Sequence, residues 1–206
     1  MSTRSAVAKA PEFEPSTIEE FLAWEDDRWA EWVDGKVIRM APVTLGHQEI
    51  VNFLLTLLRL YIEEHDLGIV STTAPYAMHL PARQRVREPD LLFVSKQRMD
   101  RLKDLYLDGA ADLVVEVVSP DSRRRDRVEK VVDYEAEGVR EYWVIDPRRR
   151  QVELRRLGAD GRFRLIEPVE GIFTSESVPG FRLRIDWLWR QPPPKILDAA
   201  RELGLV

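Results

Sequence analysis

The stretch Ala111-Asp112-Leu113-Val114-Val115-Glu116-Val117-Val118 decides the fold. Its valine-rich apolar run reads as a short strand buried on both faces. Glu116 stands inside that run, where a carboxylate is costly unless another group, a metal or water partners it. Upstream, Pro89-Asp90-Leu91-Leu92-Phe93-Val94 puts a second acid at the head of a second apolar run. If the two strands pair, the carboxylates of Asp90 and Glu116 meet near one edge of a sheet. Hard oxygen ligands favour Mg2+ or Mn2+ over zinc, and a cation held this way can activate water and stabilise charge on a phosphodiester. The alternative is structural: Asp90 caps a strand end and Glu116 pairs with an arginine.

The flanking sequence supplies the remaining layers. Ser16-Thr17-Ile18-Glu19-Glu20 is a capping box that starts a short helix to about Asp26. Glu31 to Met40 is a hairpin turning at Asp34-Gly35. Thr44 caps a long helix from Leu45 to Glu64, whose apolar residues Ile50, Val51, Leu54, Leu55, Leu58, Tyr61 and Ile62 follow helical spacing. Ile69 to Leu80 is extended. A helix from Ser122 to Glu137 ends at Gly138, Val139 to Ile145 is a strand, and Gln151 to Glu167 is a hairpin. Phe181 to Trp189 is extended or irregular, and Lys195 to Leu203 forms a helix after Pro192-Pro193-Pro194. The fold class is α/β: an α+β mixed sheet flanked by helices.

The chain has 206 residues, 44% hydrophobic and 33% charged, which suits a soluble domain with a sizeable core. No apolar run reaches the roughly 18 residues needed to span a bilayer. Met1 to Pro11 lacks the apolar core of a signal peptide, so the expected compartment is the cytoplasm. The absence of cysteine excludes disulfides, cysteine zinc sites and thiol catalysis. His47, His65 and His79 fit no zinc spacing. A net charge of -5 argues against a broad, non-specific nucleic-acid binder. The arginines nevertheless cluster. Arg83, Arg85 and Arg87 precede Asp90, and Arg123, Arg124, Arg125 and Arg127 follow Glu116; both groups fit either a phosphate-facing role or solvated loops. Arg148 to Arg150 follow the Asp146-Pro147 turn and read as its solvated tip.

Pro89-Asp90, then Glu116 in an apolar strand, then a helix, resembles the PD-(D/E)xK nuclease superfamily, which has the restriction-endonuclease-like fold. The chain is more closely similar to the bacterial Uma-type restriction endonuclease family. That likeness rests on Glu31 with Asp34-Gly35, Met40-Ala41-Pro42, His47-Gln48, Pro89-Asp90-Leu91, Val115-Glu116-Val117-Val118-Ser119-Pro120, Asp126, Lys130 and Gly138-Val139-Arg140-Glu141-Tyr142-Trp143. It implies a DNA endonuclease using Mg2+ or Mn2+. Asp90 and Glu116 would hold the ion with help from the Val117 carbonyl. Homodimerisation follows by fold analogy alone, since nucleases of this fold often pair to cut both strands. The expected organisation is a flexible tail over 1–14, one nuclease-like domain over 15–190, and a Pro-rich break and helix over 191–206.

One departure is definite. The superfamily pattern places lysine two residues after the acid on the same strand face, where this chain has Val118. The Uma-type resemblance implies that Lys130, on the following helix, replaces it. A helical wheel points elsewhere: Val128, Val131 and Val132 define the core-facing stripe, which would leave Asp126 and Lys130 outside as a solvated ion pair, while Tyr134 on the same stripe reads as packing. Among supporting residues, Glu31 could contact Lys130 or metal-bound water, His47 could bind phosphate or orient water, and Glu49 could approach the metal as a first-helix acid. Each has an ordinary surface or packing role as its alternative. The arginines Arg85, Arg87, Arg123, Arg124, Arg125 and Arg127 would grip the nucleic-acid backbone. The rival reading is a catalytically decayed nucleic-acid or protein interaction module on the same fold.

Overall fold

The computed structural model describes residues 14–24, 29–72, 76–119, 122–190 and 192–205. The order of elements is α1 (Ile18–Leu22), β1 (Ala30–Val33), β2 (Lys36–Arg39), α2 (Leu45–Glu64), β3 (Gly68–Thr72), β4 (Ala77–Leu80), β5 (Arg85–Arg87), β6 (Leu91–Ser95), β7 (Tyr106–Asp108), β8 (Leu113–Val117), α3 (Lys130–Glu137), β9 (Glu141–Asp146), β10 (Gln151–Leu157), β11 (Phe163–Leu165), β12 (Ile172–Thr174), β13 (Arg182–Arg184) and α4 (Ile196–Glu202). A π-helical turn, Arg125–Glu129, leads directly into α3.

Six strands form the central sheet in the order β11-β10-β9-β8-β6-β3. Its two middle strands, β8 and β9, run parallel, and the remaining neighbours are antiparallel. A second sheet, β2-β1-β5-β4-β7, has five strands. The expected single mixed sheet is therefore divided, and the Ile69–Leu80 stretch supplies one strand to each part. The β1–β2 turn forms as its sequence dictates: Asp34 and Gly35 both have positive φ, 50° and 78°, the geometry of a two-residue hairpin turn.

Alternation along the central strands divides the core. Leu91 and Phe93 of β6 and Leu113, Val115 and Val117 of β8 pack with Leu54, Leu57 and Leu58 of α2. Leu92, Val94, Val114 and Val118 face the other way, toward Tyr134 of α3. Helix α2 runs over Leu45–Glu64 as read from the sequence, with Thr44 accepting a hydrogen bond from the His47 amide. Most of its apolar stripe is buried, because α4 and the β12–β13 pair cover what the sheet does not, while Ile50 and Leu55 are partly buried. Helix α1 closes at Leu22, short of the expected Asp26, and residues 25–28 lie outside the described residues, as do the tail to 13 and Pro120. No described helix is long and apolar enough to cross a membrane.

Candidate active site

Glu116 sits on the α3 side of β8, between Val114 and Val118, and is 4% exposed. Asp90 lies where the chain leaves β5 in the small sheet and enters β6 in the central one. Pro89 favours extended backbone at Glu88 and helps hold that crossing open. The Asp90 carboxylate accepts a hydrogen bond from the Val117 amide at 2.6 Å, which ties it to the end of β8. His47, in the first turn of α2, brings Nε2 to 3.2 Å from the same Asp90 oxygen. The two acids, His47 and Val117 all line one small cavity of about 40 Å3.

Lys130 reaches this cavity from the start of α3. Its Nζ lies 2.6 Å from Glu116 Oε1, 3.0 Å from Glu31 Oε1 and 3.7 Å from Asp126 Oδ1. Tyr134 donates its hydroxyl to Glu116 at 2.9 Å. The helical-wheel expectation is overturned: Val128 and Val132 are 55% and 48% exposed, whereas Asp126, Lys130, Asp133 and Tyr134 are buried. The polar stripe faces inward because its charges neutralise one another there, which side-chain hydrophobicity cannot register.

Glu31, on β1, links the lysine to a second set of charges. Arg87 donates to Glu31 at 2.7 Å and to Asp133 at 2.6 Å, and Arg85 donates to Asp133 at 2.7 Å and to Asp34 at 2.6 Å. Burial alone would raise the Glu31 carboxyl, but Lys130 and Arg87 outweigh it and hold the group at about 2. Lys130 is likewise held charged: burial opposes its ammonium, but Glu116, Glu31 and Asp126 prevail and push it above its ordinary range. Glu116 is raised well above an ordinary carboxyl, first by burial and then by the crowding of Asp126, Asp90 and Glu31, with only Lys130 opposing.

The arginines divide by exposure. Arg87 is fully buried and the Arg85 side chain is 13% exposed, both engaged by carboxylates, so neither offers a free guanidinium to a ligand. Arg123 and Arg127 are paired to Asp146, and Arg127 also to Glu153 at 2.7 Å. Arg124 projects into solvent, and Arg125 lines the cavity with a buried Nε that has no hydrogen-bond partner. Glu49 is exposed on α2 and lines a different pocket. The site brings together Asp90, Glu116, Val117, Lys130, Glu31, His47 and Asp126, and leaves Glu49 apart.

Sequence reading missed Glu88, Trp29, Ser122 and Tyr134 as members of the site. Ser122 donates to Asp126, and Trp29 and Glu88 line the cavity. Glu88 was accessible to reasoning, because a two-residue step before Asp90 in extended chain shares its face. Burial and the nearby Glu31 raise its carboxyl to about 8. The folded state thus holds a proton that the unfolded chain releases above its ordinary value of 4.5. Stability should be fully present below that value and fall as pH rises toward 8, by an amount on the order of a few kcal/mol. Urea unfolding in EDTA should show this decline in the natural protein and a flatter profile in Glu88→Gln. Parallel profiles would mean that Glu88 does not titrate there.

The donor set fits a hard divalent cation. Asp126 Oδ1 and Glu88 Oε2 are buried oxygens without hydrogen-bond partners, the three carboxylates Glu31, Glu116 and Asp126 crowd around one ammonium, and Asp90 lines the same cavity. Among the described residues no three His, Asp or Glu side chains converge on one point. Two carboxylates completed by water and substrate oxygens is the usual arrangement for Mg2+.

Comparison with known proteins agrees with this architecture. A solved structure described as "a putative nuclease belonging to DUF820" from Anabaena variabilis ATCC 29413 superimposes with a TM-score of 0.71 at 18% identity. The match covers 85% of this chain and 98% of that one, and at such identity it speaks for the restriction-endonuclease-like fold. A search of curated proteins gives no match. The family model Uma2, described as "Putative restriction endonuclease", matches residues 18–186. With most of its length inside that match, the chain belongs to the Uma2 family of restriction-endonuclease-like proteins.

Proposed function

We propose that this chain is a metal-dependent endonuclease that hydrolyses phosphodiester bonds in DNA. The observation that carries this reading is the Lys130 ammonium 2.6 Å from Glu116 in the cavity that Asp90 also lines. Asp90 and Glu116 would hold Mg2+ or Mn2+, with the Val117 carbonyl as a third oxygen. When bound, such an ion supplies a more acidic water and neutralises charge on the phosphate.

The chain's own residues divide the remaining work. Lys130 is held protonated, so it acts as a cation and hydrogen-bond donor to the attacking water or the phosphate, and not as a general base. Glu31 keeps it charged, and Tyr134 orients the Glu116 carboxylate. His47 fixes Asp90 from the α2 side. Arg125 is the arginine positioned to meet a phosphate at the cavity mouth, and exposed Arg124 extends that contact along the backbone.

With Mg2+ or Mn2+ the purified protein should nick supercoiled plasmid. Asp90→Ala should reduce the rate by on the order of 100-fold or more, the scale of losing a group that stabilises developing charge. Equal nicking by both proteins would assign the activity to a contaminant. The second reading, a decayed interaction module, draws on Val118 at the usual lysine position. It requires that neither protein nick under any divalent ion.

A further inference from the structure

A second and larger pocket, about 400 Å3, opens beside the first turns of α2. Ile50, Phe53, Trp187, Leu188 and Trp189 supply its apolar lining. Phe53 and Trp187 are buried with their rings edge to face at 6.1 Å, while Trp189 is only half-buried. Arg148 and Arg150, from the turn between β9 and β10, line it on another side. Where Arg123 and Arg127 are engaged by acids, Arg148, Arg149 and Arg150 project exposed from that turn.

We infer that this pocket receives one unpaired nucleotide of the nucleic acid on which the catalytic cavity acts. The inference rests on the nuclease reading and narrows its substrate to nucleic acid that offers an unpaired base near the cut. The volume falls within the range of preformed small-ligand sites. An aromatic ring beside exposed arginines is the chemistry that takes a base on its face and a phosphate at its edge. Glu49, also in the lining, would repel a phosphate but accepts hydrogen bonds from the amino groups of bases. The base therefore belongs inside and the phosphate on the arginine turn.

Position connects the two sites. Gly46, Glu49 and Ile50 line this pocket, while His47 of the same helical turn lines the catalytic cavity. The two sites thus flank the first turns of one helix, whose diameter with side chains is about 10–12 Å. Asp146, which holds Arg123 and Arg127, immediately precedes the arginine turn. The arginine turn of the pocket thus follows directly on the acid that anchors the segment next to Arg125, which lines the cavity.

The test is binding in EDTA, where cleavage does not intervene. Fluorescence anisotropy would compare a labelled DNA single strand of about 12 nucleotides with the fully paired duplex of the same sequence. The single strand should bind about tenfold tighter. Trp189→Ala should weaken single-strand binding by about tenfold, the scale of one lost base–aromatic stack. Duplex binding should stay within about twofold, and Trp189→Phe should restore single-strand affinity. Arg148→Ala with Arg150→Ala, both at the surface, should lower the single-strand salt slope by about 1.4, or about 0.7 per lost phosphate contact. Equal affinity for the two DNAs, no rescue by Trp189→Phe, or an unchanged salt slope would each overturn the inference. Loss of nicking with the single-strand preference intact would defeat the nuclease reading alone, and nicking without the preference would defeat the pocket alone.

Discussion

Replacing Lys130 with methionine should destabilise the protein by about 3–5 kcal/mol, the cost of leaving buried charges without their counter-ion. The lysine is 1% exposed and is shared by Glu116, Glu31 and Asp126. Methionine fills much of the same volume, so the loss is electrostatic and not a packing defect. Urea unfolding in EDTA measures it. The double variant Lys130→Met with Glu116→Gln should recover part of the loss, because one orphaned carboxylate has been made neutral. If Lys130→Met unfolds within about 0.5 kcal/mol of the natural protein, a typical surface effect, the lysine is not the buried counter-ion described above.

The second large effect separates binding from folding. Glu116→Gln should abolish Mn2+ binding by calorimetry and reduce plasmid nicking by on the order of 100-fold or more, while the metal-free protein stays within about 1 kcal/mol of the natural one. Glutamine keeps the shape and still accepts from Lys130 and Tyr134, and Lys130 retains Glu31 and Asp126. The sign of the pH dependence follows from the raised Glu116 carboxyl. Its contribution to stability is present below the ordinary carboxylate range and lost as pH rises, so the variant should be relatively more stable at alkaline pH. A variant that unfolds in proportion to its lost activity would make Glu116 a structural acid and remove it from the catalytic set.

The same charges decide which parts of the molecule were legible in its sequence. Strand β8, helix α2 and the β1–β2 turn were readable because each is specified by local chemistry: a valine run, an apolar helical stripe above a threonine cap, and an Asp-Gly pair. The acids Asp90 and Glu116 were readable because a carboxylate in an apolar strand is anomalous wherever it occurs. Tyr134 was not, and the inward turn of Lys130 was implied only by the family resemblance, against the helical wheel. A wheel ranks side chains one at a time, whereas Lys130 is buried only because Glu31 from β1, Glu116 from β8 and Asp126 from its own helix meet around it. The arginines failed for the same reason. Arg85 and Arg87 resemble backbone-gripping residues until Asp133 and Glu31 are placed beside them.

The sequence by itself determined the central strands and the long helix, the family, and the two acids around which a site could form. Tertiary structure alone decided which arginines remain free and that Tyr134 joins the site, and it brought together the partners that turn the lysine inward. Local propensity and apolar periodicity act over a few neighbouring residues. A charge can be buried only when partners from distant segments arrive with it, and that cancellation exists only in the folded chain.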